Sequence, residues 1–173
     1  IVYTVRGGSG AVIWTDGVFA TDGSLAPIAE LLDALPPGRA TLVVDDCHGV
    51  GAIGPGARGT PAHLAIHDPR LIMTGTLAKG IGCHGGFIAG RAEAVKRIRA
   101  ASPAYVGTTP VSPAIACAAK EALAVIDREP ERLERLALNT LRLRTGLARL
   151  GLAAGASPVP VFAFTLASEG RME

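Results

Sequence analysis

A lysine lies between an apolar run and a row of glycines in the middle of the chain. The run Leu71–Met73 precedes Lys79, and the glycine-rich segment 80–90 follows it. The chain has only three lysines, whereas arginine supplies most of its positive charge. Arginine cannot lose its proton in a protein, but a desolvated lysine can, and its amine can then form a Schiff base with a carbonyl group. Lys79 is therefore a candidate nucleophile, with an ordinary surface lysine in a loop as the alternative.

A second candidate cluster follows the apolar run Thr41–Val44 and consists of Asp45, Asp46, Cys47 and His48. Apolar, β-branched residues without alternation are typical of a parallel strand that is buried on both faces. Ligand sites of open α/β sheets gather at the carboxyl ends of such strands. A metal site is one interpretation, although the four residues are nearly contiguous and no second cluster with ligand spacing accompanies them. An acidic turn that only caps the loop is another.

The two segments together favour a carbonyl cofactor. Pyridoxal 5'-phosphate bound to a lysine needs a carboxylate beside its ring nitrogen, so that the protonated ring can draw electrons from the substrate. Asp45 at one strand end and Lys79 at the next would meet such a ring from two sides. The dinucleotide pattern G-x-G-x-x-G over 80–85 is rejected, because a strand-like run follows it where the pattern requires a helix.

The elements that position these residues alternate between strands and helices. Besides a strand-like run at the start of the chain, apolar runs predict strands at 11–14, 41–44, 71–74, 86–90 and 159–166. Capping and turn signals predict helices from 22–24 to the prolines at 36–37, from a cap at Thr60, over 92–101, from Ser112 to about Asp127, and after Pro130. Such alternation predicts an α/β layer with a mostly parallel sheet.

Two of these helices have apolar residues at helical spacing. The first carries Leu25, Ile28, Leu32 and Leu35. The last carries leucines with arginines opposite, at positions 133, 136, 143, 147 and 150. A face of this kind predicts packing against the rest of the protein rather than a membrane or partner helix.

The bulk composition limits the class of protein. The 173 residues are 49% hydrophobic and 18% charged, and a net charge of +2 is too small to indicate nucleic-acid binding. No run of about eighteen uncharged apolar residues occurs, so no membrane span is expected. Cys47, Cys83 and Cys117 are predicted to be reduced thiols in a cytoplasmic protein. Because strand-like runs lie at both ends of the chain, we expect it to be a piece of a longer protein.

Three segments, in this order, resemble the α-oxoamine synthases, which are fold-type I pyridoxal-phosphate enzymes of the class I/II aminotransferase superfamily. They are Val44–Gly51 (VDDCHGVG), Gly56–Thr60 (GARGT) and Thr74–Gly82 (TGTLAKGIG), and segments 16–23 and 105–113 resemble the same family. Members include 8-amino-7-oxononanoate synthase, glycine C-acetyltransferase, 5-aminolevulinate synthase and serine palmitoyltransferase. The resemblance implies that 1–110 form the C-terminal half of the cofactor-binding large domain. Residues 111–173 would begin the small C-terminal domain.

The resemblance also implies roles for individual residues. Lys79 matches the lysine that forms the internal aldimine and later carries a proton, and Asp45 matches the partner of the pyridine nitrogen. His48 matches the histidine near the cofactor's phenolic oxygen and the substrate. Thr76 matches the threonine that binds the cofactor phosphate. Thr109 falls where the family supplies a hydroxyl group to that phosphate across the dimer interface.

Four further positions complete the expectations about the site. Ala20 stands where the family commonly has a serine that donates a hydrogen bond to the phenolic oxygen, so the preferred reaction could differ. Cys47 occupies a position usually held by a small residue, and Pro110 one where a serine is frequent. Asp46 is interpreted as structural, and no metal is expected.

The activity that the resemblance implies is the condensation of a small amino acid with an acyl-CoA to give an α-amino ketone. The enzyme would be a cytoplasmic homodimer with its active site at the interface. A related fold-type I enzyme such as an aminotransferase is one alternative. A truncated remnant with only a structural role is the other.

Overall fold

A five-stranded mixed sheet forms the centre of the computed structural model, which describes residues 2–7, 10–36, 40–152, 155 and 157–164. The strands lie in sequence order: β1 Val2–Gly7, β2 Gly10–Asp16, β3 Ala40–Asp45, β4 Leu71–Thr76 and β5 Gly86–Ala89. β2, β3 and β4 are parallel, whereas β1 and β5 pair antiparallel at the two edges. The predicted α/β class is confirmed, with the parallel pairing confined to the three central strands.

The parallel register brings three strand ends together. Asp16 pairs with Asp45, and Asp45 pairs with Thr74 on the next strand. Side chains directly opposite one another on neighbouring strands share a face of the sheet. The loops that follow β3 and β4 therefore start side by side at one edge.

Six α-helices lie within the described residues: α1 Ile28–Asp33, α2 Thr60–His63, α3 Ala92–Ala101, α4 Pro103–Gly107, α5 Pro113–Arg128 and α6 Glu131–Arg149. A short 3₁₀ helix, Pro55–Ala57, precedes α2. The Ser112 hydroxyl accepts a hydrogen bond from the Ile115 amide at the start of α5, as the predicted cap requires. None of these helices is both long enough and apolar enough to cross a membrane. The predicted domain boundary at 110/111 falls between α4 and α5, and the division into two domains stays a prediction.

The first predicted helix begins later than its sequence indicated. Leu25 pairs with Val18 in an isolated bridge, and α1 starts only at Ile28, after Pro27. A proline disfavours helical geometry in the residue before it, which explains the delay. The helix then buries Ile28 and Leu32 against Leu42 of β3, which forms one core on this side of the sheet.

The prediction for the leucine face of α6 was only partly right. Leu136 and Leu147 are half-buried, but Leu143 is 50% exposed and Leu150 76%. The buried Thr140 and the half-buried Arg144 take the inward positions between them. The helix therefore packs through a face that contains polar side chains, which simple hydrophobic spacing did not identify.

The strand predicted at 159–166 is wrong for the residues that the structure describes. Residues 159–164 form no strand, and 165–166 lie outside the described residues. Pro158 and Pro160 have no amide hydrogen for a strand ladder. The Arg144 guanidinium instead donates to the carbonyl oxygens of Ser157 and Val159 and stacks on the ring of Phe162. This segment is tied to α6 by a side chain rather than to the sheet.

The two faces of the sheet differ in their exposure. Leu42 and Val44 pack into the core around α1 on one face. On the other face Val12, Trp14 and Ile88 are 38%, 46% and 45% exposed. Within the described residues, the sheet thus has one well-covered face and one partly open face.

Candidate active site

Two loops meet at the carboxyl edge of the sheet, one after β3 and one after β4. His48 in the first loop and Lys79 in the second approach to 2.7 Å between Nε2 and Nζ. His48 is half-buried, whereas Lys79 is exposed. Which of the two nitrogen atoms donates depends on the tautomer of the imidazole ring. Lys79 does lie in an exposed loop, as the alternative interpretation had it, but it is paired with a residue of the other predicted cluster.

A contact between two glycines sets the approach of these loops. A Cβ on Gly51 would lie 2.7 Å from the Gly80 Cα atom, and Gly51 has a φ of +82°. Any side chain there would force the loops apart and would also strain the backbone. Gly51 lies three residues after His48, and Gly80 directly follows Lys79. The contact between the two glycines therefore fixes the separation of the loops that carry His48 and Lys79. Sequence reasoning treated both glycines only as parts of a motif and missed their contact.

Asp45 and Cys47 form the side of the site next to the sheet. The half-buried Asp45 carboxylate accepts a hydrogen bond from the Cys47 amide at 3.1 Å. Burial, a hydrogen bond to Asp45 and the charge of Asp45 raise the pKa of the Cys47 thiol to about 11, against the opposing charge of Lys79. The thiol therefore stays protonated at neutral pH and lies within the electrostatic reach of both Asp45 and Lys79.

Asp46 points away from this group into the protein. Its carboxylate is fully buried and accepts hydrogen bonds from the Thr60 hydroxyl at 2.6 Å and the Thr60 amide at 2.7 Å. Burial raises the pKa of Asp46, while the bonds from Thr60 oppose the rise. The structural interpretation of Asp46 agrees with these contacts. The prediction that Thr60 caps α2 was wrong, because Gly59 is the cap residue and the hydroxyl binds Asp46.

Two predicted site residues remain, Thr76 at the end of β4 and Thr109 after α4. Thr76 ends β4, and its hydroxyl donates to the Gly85 carbonyl at 3.2 Å and accepts from the Ala78 amide at 3.1 Å. It thereby closes the loop that carries Lys79. Thr109 is exposed after α4, and its side chain makes no hydrogen bond to any residue that the structure describes. The structure therefore groups Asp45, His48, Thr76 and Lys79 at one edge, and no hydrogen bond among the described residues joins the Thr109 side chain to them.

Other candidates give little further chemistry. Ala20 lies exposed in the turn after β2, without the hydroxyl group that the family commonly has there. Among the described residues, no three His, Cys, Asp or Glu side chains form a group that could hold a metal ion.

The sequence reasoning missed Thr60 as the hydrogen-bond partner of Asp46. Its only sequence signal was a hydroxyl residue after the glycine-rich segment.

The fold and this site define a member of a known class of proteins. The chain matches the family aminotransferase class I and II over residues 6–172 and belongs to that family. Among curated relatives, the 8-amino-7-oxononanoate synthase of Methylococcus capsulatus is 42% identical over 151 residues, which are 87% of this chain and 39% of that protein. The 8-amino-7-oxononanoate synthase 1 of Bacillus subtilis is 35% identical over 159 residues, 92% of this chain and 41% of that protein. The chain thus spans about two fifths of the length of these relatives.

Solved structures of two enzymes share the fold. The 8-amino-7-oxononanoate synthase from Francisella tularensis matches with a TM-score of 0.80 at 24% identity, over 91% of this chain and 47% of that one. A serine palmitoyltransferase from S. paucimobilis with bound PLP–myriocin aldimine matches with a TM-score of 0.82 at 23% identity, over 92% and 42%. The fold-type I architecture predicted from the sequence is confirmed, and so is the resemblance to the α-oxoamine synthases.

Proposed function

We propose that this chain carries the cofactor-binding centre of a pyridoxal-phosphate-dependent acyltransferase. The enzyme would condense a small amino acid with an acyl-CoA to give an α-amino ketone. The observation that carries the proposal is the 2.7 Å contact between Lys79 Nζ and His48 Nε2 at the ends of two parallel strands. The relatives named 8-amino-7-oxononanoate synthase support the acyltransferase class.

The side chains at this edge fit pyridoxal phosphate. An amine, an imidazole and a half-buried carboxylate lie on neighbouring loops, and the Asp45 carboxylate keeps lone pairs free beyond its bond from the Cys47 amide. When bound, the cofactor supplies a reactive carbonyl group and an electron-withdrawing ring. Lys79 would be its point of covalent attachment, and Asp45 would hold the proton on its ring nitrogen.

The same residues would handle protons and position the reactants. Once its amine is free, Lys79 Nζ would remove the proton from the α-carbon of the amino acid. His48 Nε2 lies 2.7 Å from Nζ and would orient the amine toward that carbon. The Thr76 hydroxyl would bind the phosphate by exchanging its bond to the Gly85 carbonyl.

The proposal includes a homodimer in the cytoplasm. Thr109 would reach the phosphate of the partner's site. Tyr105, Val106 and Val111 beside it are 57%, 81% and 40% exposed, and apolar side chains exposed together support an interface there. The three cysteines are free, which supports a reducing compartment.

Trapping of the cofactor tests the proposal. The full-length protein is incubated with pyridoxal phosphate and reduced with borohydride, and the modified residue is located by peptide mass spectrometry. We expect a single adduct on Lys79, which Lys79→Ala abolishes. Lys96→Ala, the same change on an exposed lysine of α3, should leave the adduct intact. A full-length protein that takes up no cofactor would refute the proposed enzymatic function and favour a truncated remnant with only a structural role.

A second assay separates the reaction types. CoA release is measured with a panel of acyl-CoA substrates and with glycine, alanine or serine as the amino acid. The proposed acyltransferase releases CoA only when both substrates are present. Amino transfer to a keto acid without release of CoA would instead identify an aminotransferase, the outcome that the missing hydroxyl at Ala20 would favour.

A further inference from the structure

Asp46 joins three parts of the chain beneath the candidate site through its carboxylate and its backbone amide. It is 0% exposed, and both of its carboxylate oxygens accept hydrogen bonds from Thr60, 14 residues along the chain. Its own amide donates to the Thr74 carbonyl of β4 at 2.8 Å. A single residue therefore links the end of β3, the end of β4 and the start of α2.

Glycines enclose this carboxylate so closely that no side chain could replace them. A Cβ on Gly17 or Gly49 would lie 2.4 or 2.2 Å from Asp46 Oδ1, and one on Gly59 would lie 1.8 Å from Oδ2. These glycines come from the loop after β2, the turn after β3 and the residue before α2. Three backbone segments thus converge on one carboxylate.

The turn that carries His48 is attached to the same residue. The Asp46 carbonyl oxygen accepts hydrogen bonds from the Gly49 amide at 3.1 Å and the Val50 amide at 3.0 Å. His48 is therefore held inside a turn whose first residue cannot move without breaking its bonds to Thr60. The imidazole is placed 2.7 Å from Lys79 by a turn that is fixed from below.

The stability of the fold alone does not explain why the Asp46 carboxylate is buried here. A buried carboxylate loses its hydration, and it has no ion pair with a cation among the residues that the structure describes. Burying an ion without a counter-ion is costly, and an apolar residue of similar size often stabilises a fold better. The two short bonds from Thr60 do, however, fix a direction, which an apolar contact would not.

We infer that Asp46 and Thr60 form a positioning pair that holds His48 against Lys79 in the proposed reaction. The inference depends on the proposed function only in its expected effect on turnover. The placement of His48 can be measured without any reaction. Neither residue touches the reacting atoms. Both act through the turn 46–51, so loosening either one should free His48 before it unfolds the protein.

The test compares matched variants of the full-length protein. Thr60→Val replaces the hydroxyl with a methyl group of similar size, and Thr60→Ser keeps the hydroxyl. Thr145→Val makes the same change on an exposed residue of α6, whose hydroxyl donates to the Leu141 carbonyl. The rate of His48 modification by diethyl pyrocarbonate, read by peptide mass spectrometry, reports the placement of the imidazole. Steady-state kcat and KM report turnover.

We expect Thr60→Val to raise the rate of His48 modification about tenfold, since it removes a buried hydrogen bond to a charged group. It should lower kcat about tenfold and change KM for the amino acid less than about twofold. Thr60→Ser and Thr145→Val should match the parent. A folded Thr60→Val protein with a lower melting temperature but with the parent's His48 rate and kcat would overturn the inference.

A milder variant decides the matter if Thr60→Val does not fold. Asp46→Asn keeps the shape of the side chain and one acceptor for the Thr60 amide, and we expect a smaller rise of about threefold in His48 modification. An unchanged rate would overturn the inference. A parent protein without a cofactor adduct on Lys79 would refute the proposed function, yet a His48 rate that responds to these variants would still support the positioning pair.

Discussion

Two regions of the molecule are built in opposite ways. In the β3–β4 region, residues 40–86, backbones approach each other at glycines such as Gly51. The enclosed Asp46 carboxylate has no ion pair with any residue that the structure describes. In the α5–α6 region, residues 113–149, large apolar side chains remain in solvent. Leu138 and Leu141 are 54% and 60% exposed, and the ion pair of Arg128 with Glu121 is exposed. The first region fixes distances between side chains, whereas the second only needs to keep its helices packed.

This difference predicts unequal tolerance to substitution. Side chains that chemistry must align have to be held by short, directional contacts, which few replacements can reproduce. A helix surface is determined by periodicity and accepts many side chains. Equivalent substitutions placed in the two regions should therefore have unequal effects, and they provide tests of the comparison.

The largest contrast is expected for leucine. Leu42 of β3 is 0% exposed and packs with Ile28, Leu32 and Val44, so Leu42→Ala leaves a cavity and should lower the free energy of unfolding by about 2–5 kcal/mol. Leu141→Ala, on the exposed face of α6, should change it by less than about 0.5 kcal/mol. Urea unfolding of the full-length protein measures both values. Equal losses would mean that α6 buries this face.

A glycine in each region gives the second contrast. Gly51→Ala combines a positive φ with a contact of 2.7 Å to Gly80, and should cost about 2–4 kcal/mol of unfolding free energy. Gly146→Ala lies within α6, where the new methyl group meets no described atom within 4 Å beyond the neighbouring helix backbone, and it should stabilise the protein by about 0.5–1 kcal/mol. Thermal and urea unfolding measure the sign of the change in unfolding free energy for both variants. A neutral Gly51→Ala would show that the loops of His48 and Lys79 can separate freely.

The two regions should also differ in the reactivity of their thiols. The pKa of Cys47 is raised to about 11, so only a small fraction of this thiol is ionised at pH 8. A more basic thiolate is intrinsically more nucleophilic, which partly offsets the smaller ionised fraction. The net expectation is alkylation about tenfold slower than that of the exposed Cys117. Raising the pH toward 11 should speed the reaction of Cys47. Iodoacetamide labelling with peptide mass spectrometry follows both residues, and equal rates at pH 8 would contradict the environment described for Cys47.

The sequence predicted the elements well where the pattern was local. The strands β2 to β5, α3 and the start of α5 follow from apolar runs and capping signals, since hydrogen bonds and side-chain periodicity act over a few residues. Predictions were weakest at boundaries that depend on other parts of the chain. Pro27 was a local signal for the late start of α1. The bridge between Leu25 and Val18 and the bonds from Arg144 of α6 to the segment after Pro158 depend instead on residues further along the chain.

The candidate site divides in the same manner. Asp45 and Lys79 could be identified from residue type and from their places after buried strands, which already indicated their roles beside a carbonyl cofactor. The family resemblance then assigned the same roles and added those of His48 and Thr76. The bonds between Asp46 and Thr60 left only a hydroxyl residue after a glycine-rich segment as a signal, and the contact of Gly51 with Gly80 left none that the sequence reasoning recognised. Both depend on the paths of separate loops through space, and a linear pattern does not encode those paths.

The sequence by itself determined the α/β class, the family and the identity of the groups that could do chemistry, because these depend on composition, spacing and motif. Only the tertiary structure decided that His48, 31 residues before Lys79, lies 2.7 Å from it. The same holds for the opposite orientations of two adjacent aspartates, with Asp45 at the site and Asp46 beneath it. Such distances are set by the meeting of strand ends and by glycines that let backbones touch, and these contacts exist only once the sheet has formed.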